Sequence, residues 1–237
     1  MRFAIFFTPP PEHPLSKAAA LWLGRDAFSG EEFAQIGGEG FTDRDIRELT
    51  AAPRRYGFHA TLHAPFLLSE GATGEDVDAA FRTACRELQP VPLWRLGVER
   101  IGSFFALTPT ASSSEPVSAL AADLVRRFDR LRAPPSAAEI ERRNPEKLSP
   151  GQRRNLERWG YPYVFDDFRF HMTLTGPVPE ESRPAMQRLL ETRFRPLIEQ
   201  PVAIDALSLF VEATPPGDFL VKRRSPLATV PQPVDAA

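Results

Sequence analysis

The chain has 237 residues with 42% hydrophobic and 25% charged content, which excludes disorder throughout and is enough to bury a substantial core. Its 29 basic and 31 acidic residues leave a net charge of -2, excluding the overall basic footprint of a protein that holds long duplex nucleic acid but not a small anionic ligand. The single cysteine, Cys85, excludes an intrachain disulfide and any cysteine-based zinc cluster.

Residues 2–7 form a short apolar run closed by Pro9, Pro10 and Pro11, which predicts a buried strand ended by residues that cannot donate to a ladder. The run is too short for a signal peptide or a membrane span, so a soluble, cytoplasmic protein is expected. A helix follows over Pro14–Leu23, then a Gly- and Asp-containing stretch with a short helix over 42–49, where Thr42 can cap and Asp45 sits three residues on. His13, between prolines, reads as a loop residue.

A strand over 56–63 comes next, then a helix over 74–88 and two apolar runs, 93–101 and 103–108, broken at Gly102. The same order returns downstream: a strand over 168–175, a helix over 180–194, and runs at 202–212 and 218–223 broken by Pro215, Pro216 and Gly217. Between the two sets, Val117, Leu120, Leu124, Phe128 and Leu131 have helical spacing, and 137–159 reads as further helix interrupted at Pro145. From Ser225 onward the Pro-containing tail predicts loose order.

Phe58-His59-Ala60-Thr61-Leu62 recurs as Phe170-His171-Met172-Thr173-Leu174, an offset of 112 residues (171 minus 59), and Phe105 and Phe219 match at 114 (219 minus 105). Duplication of a strand–helix–hairpin unit explains both offsets. The predicted fold is α+β and bilobal: pseudo-twofold duplicated units with antiparallel sheets forming a central cleft, plus a helical insert. Lobe one covers about 1–109, the insert about 110–160 and lobe two about 161–224, making one catalytic domain, with 225–237 a flexible tail.

Strand alternation places His59, Thr61 and His63 on one face, and Arg169, His171, Thr173 and Thr175 on the corresponding face of the second copy. If the copies pair about a pseudo-twofold axis, two imidazoles and two hydroxyls line one cleft. Imidazole gives or takes a proton near neutral pH, and a threonine hydroxyl donates to a phosphate oxygen; these are the parts that phosphodiester cleavage needs. Arg169 and Arg55 can pair with a phosphate or simply face solvent. Tyr56, Tyr161 and Tyr163 can stack on a base or sugar or pack at the rim, and Lys222, Arg223 and Arg224 can close an anionic pocket or form a solvated run. No carboxylate at ligand spacing accompanies the histidines, so no metal or other cofactor is expected.

The motif pair His59-Ala60-Thr61 and His171-Met172-Thr173 resembles the defining feature of the two-histidine (2H) phosphoesterase superfamily. Arg54-Arg55-Tyr56-Gly57-Phe58 and Trp159-Gly160-Tyr161-Pro162-Tyr163 are similar to one uncharacterised bacterial branch associated with phosphonate-utilisation operons, as are Trp22-Leu23-Gly24-Arg25-Asp26 and Arg142-Arg143-Asn144-Pro145. The resemblance implies metal-independent cleavage of a small cyclic phosphodiester, of the nucleotide 2',3'-cyclic phosphate or ribose cyclic phosphate type. His59 and His171 would be acid and base, and Thr61 and Thr173 phosphate binders. Read from the residues themselves, Arg55, Tyr56, Arg169 and Thr175 are candidate substrate contacts, and His63 is a third polar contact or a solvated strand residue. The implied partner is a small phosphorylated molecule, with neither a membrane nor a strong nucleic-acid signal. Two alternatives stay open: a phosphometabolite-binding protein without turnover, and an RNA-end processing or 2',5'-RNA ligase-like enzyme.

Overall fold

The computed structural model describes residues 1–110 and 115–228. Its elements are β1 (Arg2–Phe7), α1 (Pro14–Leu23), α2 (Asp43–Leu49), α3 (Ala51–Arg54), β2 (Ala60–Phe66), α4 (Gly74–Glu87), β3 (Val91–Trp94), β4 (Leu96–Ile101) and β5 (Phe104–Pro109). There follow α5 (Glu115–Phe128), α6 (Ala137–Glu141), α7 (Pro150–Trp159), β6 (Met172–Thr173), α8 (Arg183–Phe194), β7 (Val202–Ile204), β8 (Ala206–Glu212) and β9 (Leu220–Pro226). None of these helices is long and apolar enough to cross a membrane.

The helices begin where the sequence supplies a cap. Thr42 with Asp45, Thr73 with Asp76, Ser136 with Glu139 and Ser149 with Gln152 form reciprocal capping boxes, satisfying amide groups that have no carbonyl partner within the helix. His13 caps α1, its ring nitrogen accepting from the Leu15 amide at 3.1 Å. Along α4, Val77, Phe81, Ala84 and Cys85 share one buried face, and Val117, Leu120, Leu124 and Phe128 do so along α5.

Seven strands form one antiparallel sheet in the order β4-β5-β6-β2-β1-β8-β9, and β3 pairs with β7 in a separate ribbon. The expected pair of sheets is thus one continuous sheet, joined at its middle where Ala60 of β2 meets Met172 of β6. The order strand, helix, three strands occurs twice, as β2-α4-β3-β4-β5 and β6-α8-β7-β8-β9. The halves differ in that β1 lies between β2 and β8, whereas β5 pairs with β6 directly. Phe105 lies in the main core and Phe219 in a smaller cluster, so their matched offset does not give them equivalent surroundings.

β1 is buried along its whole length and separates two apolar regions. Phe3, Ile5 and Phe7 face the main core under α1, α4, α5 and α8, while Ala4 and Phe6 face a cluster with Ala27, Phe210 and Phe219. The predicted strand over 168–175 narrows to two residues, because after β6 the chain bends: Leu174 and Thr175 donate their amides to one carbonyl, that of Phe105. Residues 225–228, assigned to the tail in sequence, are instead held. β9 runs to Pro226, and the amides of Leu227 and Ala228 donate to Asp205 and Leu88 carbonyls. The rest of the tail, 229–237, lies outside the described residues.

Candidate functional site

The two His-x-Thr segments meet on one side of the sheet, in an open cleft of about 290 Å³ whose lining includes His59, Thr61, His171 and Thr173. Phe6 stands opposite Thr61 in the β1–β2 register, so the strand face that carries Phe6 also carries Thr61 and His59. The His59 ring stacks on Phe6 with 4.0 Å between centroids and is flanked by Tyr56 at 5.6 Å, whose other neighbour is Phe219 at 4.9 Å. Phe104 of β5 lies 5.8 Å from the His171 ring.

Both histidines are held by the same local device. The Nδ1–H of His59 donates to the carbonyl of Gly57 at 2.9 Å, and that of His171 donates to the carbonyl of Arg169 at 2.8 Å. In each case the acceptor lies two residues back, and the bond leaves Nε2 as the free nitrogen of the neutral ring. Thr61 Oγ1 sits 3.3 Å from His59 Nε2, where its hydroxyl can donate. Gly57 can serve this turn because it has φ +73° and no side chain: a Cβ there would lie 2.4 Å from the Cβ of Ala27.

Burial pushes His59 down to about 4, outweighing the Gly57 hydrogen bond, and the nearby His171 adds to the depression. His171 is less enclosed; its pKa is also lowered, first by burial and then by the Arg169 cation. Neutral rings are therefore favoured, most strongly at His59.

His63 is not on the cleft face, contrary to the alternation read from sequence. Two irregularities in the β1–β2 register, one between Thr61 and His63 and one before Phe66, each add a residue to β2. His63 consequently stands opposite Ile5, on the core side, packed against Phe66 at 4.9 Å and Phe128 at 6.0 Å, with Nδ1–H donating to the Ala64 carbonyl at 2.8 Å. Ala64 takes the place in the cleft lining that alternation gave to His63.

The other expected contacts divide. Tyr56 and Thr175 line the cleft, although Thr175 is fully buried and its Oγ1 accepts from the Phe105 amide at 3.0 Å. Arg55 is not among the lining residues: its guanidinium pairs with the buried carboxylate of Glu212, which also holds Arg2 and accepts from the Gly217 amide at 2.8 Å. Burial alone would raise the Glu212 pKa, but Arg2, the Gly217 amide and Arg55 outweigh it and hold the carboxyl at about 2. Arg169 is exposed and pairs with Glu99 at 2.6 Å. Arg223 pairs with Asp78 at 2.7 Å and Arg224 with Asp205 at 3.0 Å.

Sequence reasoning missed Arg143 and gave Tyr161 no definite place; Arg143 reaches the cleft from the insert and Tyr161 from the segment just after it. The short helix α6, the left-handed Asn144 (φ +48°) and the left-handed Gly160 that ends α7 turn the chain so that these two residues meet, with the Arg143 guanidinium 4.9 Å from the Tyr161 ring centroid. Only the Arg-Arg-Asn-Pro and Trp-Gly-Tyr signatures hinted at it, and neither has a periodicity that points into a site. Among the described residues, no group of three or more His, Cys, Asp or Glu side chains is placed to hold a metal ion.

Residues 61–220 match the family described as a protein of unknown function, DUF1045. Two curated relatives, both called ribose 1,5-bisphosphate phosphokinase PhnN, are similar to this chain: one from Janthinobacterium sp. (strain Marseille), 36% identical over 96% of this chain and 51% of its own length, and one from Laribacter hongkongensis (strain HLHK9), 37% identical over 90% and 48%. The chain thus spans about half the length of these relatives. A solved structure called a phosphoesterase aligns over 96% of this chain and 98% of its own with 12% identity and a TM-score of 0.43, too low to carry an argument. The match over residues 61–220 places the chain in the DUF1045 family, and that membership fits the branch of two-histidine phosphoesterases that its motifs resemble.

Proposed function

We propose that the protein is a metal-independent phosphodiesterase that opens a small cyclic phosphodiester of the ribose or nucleotide type. The observation that carries this reading is the meeting of His59, Thr61, His171 and Thr173 in one cleft, where the described lining residues include no carboxylate. A pseudo-twofold duplicated catalytic unit is part of the reading, supported by the repeated element order and by the identical Nδ1–carbonyl bond at both histidines.

In this reaction the neutral His59 Nε2 takes a proton from water as the water oxygen bonds to phosphorus. His171, protonated when the anionic diester enters beside it, passes its Nε2 proton to the departing ester oxygen as the P–O bond breaks. The product is a phosphomonoester with a free hydroxyl. Thr61 and Thr173 donate to the non-bridging oxygens, whose charge grows in the transition state; on substrate binding the Thr61 hydroxyl turns from His59 to the phosphate. The stacking of His59 between Phe6 and Tyr56 supports its role as base, because it disfavours the cation, and the greater exposure of His171 supports its role as acid. Arg55, Arg169 and Thr175 then support the site from outside the reacting atoms: through Tyr56, through the carbonyl that holds His171, and through β5.

The name of the two relatives raises phosphotransfer as a second reading. The lysines of this chain, Lys17, Lys147 and Lys222, follow Ser16, Glu146 and Val221, so no Gly-Lys pair and no P-loop motif is present. Their named kinase activity fits better in the half of each relative that this chain does not span. A diesterase releasing a ribose phosphomonoester would yield the class of compound such a kinase takes.

The test is turnover of nucleoside 2',3'-cyclic phosphates and ribose 1,2-cyclic phosphates with excess EDTA. Activity should survive the chelator and fall by about 10²- to 10⁴-fold in His59→Ala and in His171→Ala. Full activity in either variant would overturn the assignment, binding without product would favour a sensor, and joining or trimming of RNA ends would favour the RNA enzyme.

A further inference from the structure

Among the described residues, Arg143 is the only permanently charged one lining the cleft. Three other arginines nearby are paired: Arg55 with Glu212, Arg169 with Glu99, and Arg132 with Asp129 and the Ala133 and Arg158 carbonyls. Arg143 has no ion pair and no side-chain hydrogen bond among the described residues. Its guanidinium lies over Tyr161 at 4.9 Å, an arrangement that steadies the cation while leaving its N–H groups available. Arg143 and Pro65 also border a second, smaller cavity, whose lining includes Arg132 and Arg142 but neither histidine. Among its described lining residues the one acid, Glu139, accepts from the Ser136 amide and hydroxyl in its capping box. Positive charge therefore continues from the cleft away from the His-x-Thr pair.

We infer that Arg143, presented by the insert on Tyr161, is a specificity-determining residue that binds a second phosphate of the substrate, a monoester at the end of the molecule remote from the diester held by the histidines. This deepens the diesterase reading and rests on it for the identity of the first phosphate. A planar guanidinium whose N–H groups are unengaged suits a terminal phosphate, which offers paired oxygens, better than a neutral sugar hydroxyl. The insert, which belongs to neither repeat, thereby acquires a role in choosing substrate.

The experiment has a turnover arm and a binding arm, both with the full chain. Adenosine 2',3'-cyclic phosphate is compared with the same compound carrying a 5'-phosphate, in wild type, Arg143→Ala and Arg143→Lys. The doubly phosphorylated compound should be preferred in kcat/KM. Arg143→Ala should cost about 10- to 100-fold on that compound and at most about threefold on the other, with part of the preference returning in Arg143→Lys. In the binding arm, adenosine 3',5'-bisphosphate and adenosine 3'-monophosphate are titrated calorimetrically, which needs no turnover. If neither cyclic compound is cleaved but the bisphosphate is preferred and Arg143→Ala abolishes that preference, the diesterase reading fails and the subsite stands. Equal binding of the two ligands by wild type, or an equal loss on both in Arg143→Ala, overturns the subsite.

Discussion

At the scale of single residues, two histidines of the same strand have opposite fates. His59 and His63 are both pushed down to about 4 by burial, yet one faces the cleft and the other the core. For His59 the consequence lies in the proposed reaction. In the proposed role of base it is lost when pH falls through about 4, and His171, the proposed acid, whose pKa burial lowers from its ordinary value, loses its proton as pH rises. The expected kcat/KM profile is a bell on the acidic side of neutrality, measured with saturating buffer controls; a plateau extending to pH 8 would contradict these roles. For His63 the consequence is stability. Its folded pKa lies below the unfolded 6.5, so the unfolded chain binds more protons in between; the contribution is complete above about 6.5 and is lost as pH falls toward 4. That loss is on the order of 3 kcal/mol. Urea unfolding at pH 7 and pH 4.5 should show a smaller pH effect in His63→Phe than in wild type, while turnover at neutral pH stays within about threefold.

At the scale of elements, Glu212 ties together parts distant in sequence. Its carboxylate holds Arg2 at the start of β1, Arg55 after α3 and the Gly217 amide in the β8–β9 loop, and the segment so fixed carries Tyr56 and Gly57 against His59. Glu212→Ala would leave the Arg2 and Arg55 cations without their shared carboxylate, and a loss of about 3–5 kcal/mol is expected in chemical denaturation. An unchanged midpoint would show the network to be dispensable. Sequence patterning located nearly every element because helices here have periodic apolar faces and side-chain caps: α1 occupies the predicted Pro14–Leu23, and α2 begins at the predicted Thr42 cap. The His-x-Thr pair was likewise legible, since both segments keep apolar Phe58, Leu62, Phe170 and Leu174 on the core side. What could not be read was the register. A bulge depends on the partner strand, so His63 was assigned to the wrong face, and Arg143 depends on loop turns that carry no period.

At the scale of the whole molecule, the β4–β5 hairpin reaches the rest of the sheet only through β6, which belongs to the second half of the chain, while β8 and β9 reach it through β1. Neither half contains the neighbours that its own strands require. A fragment of residues 1–110 should therefore give the circular dichroism of an unfolded chain, and the intact protein should unfold in one transition seen alike by Trp fluorescence and far-ultraviolet signal. A cooperative melt of that fragment would mean that the first half is a self-sufficient domain.

The backbone carbonyls that hold the imidazoles also write a spectroscopic label on them. His59, His63 and His171 each give Nδ1–H to a carbonyl, whereas Nδ1 of His13 accepts from the Leu15 amide and so must carry its proton on Nε2 when neutral. These are the four histidines of the chain. Long-range proton–nitrogen NMR spectra of the neutral rings should therefore sort three of them into one tautomer and His13 alone into the other, in the free protein and before any substrate is known.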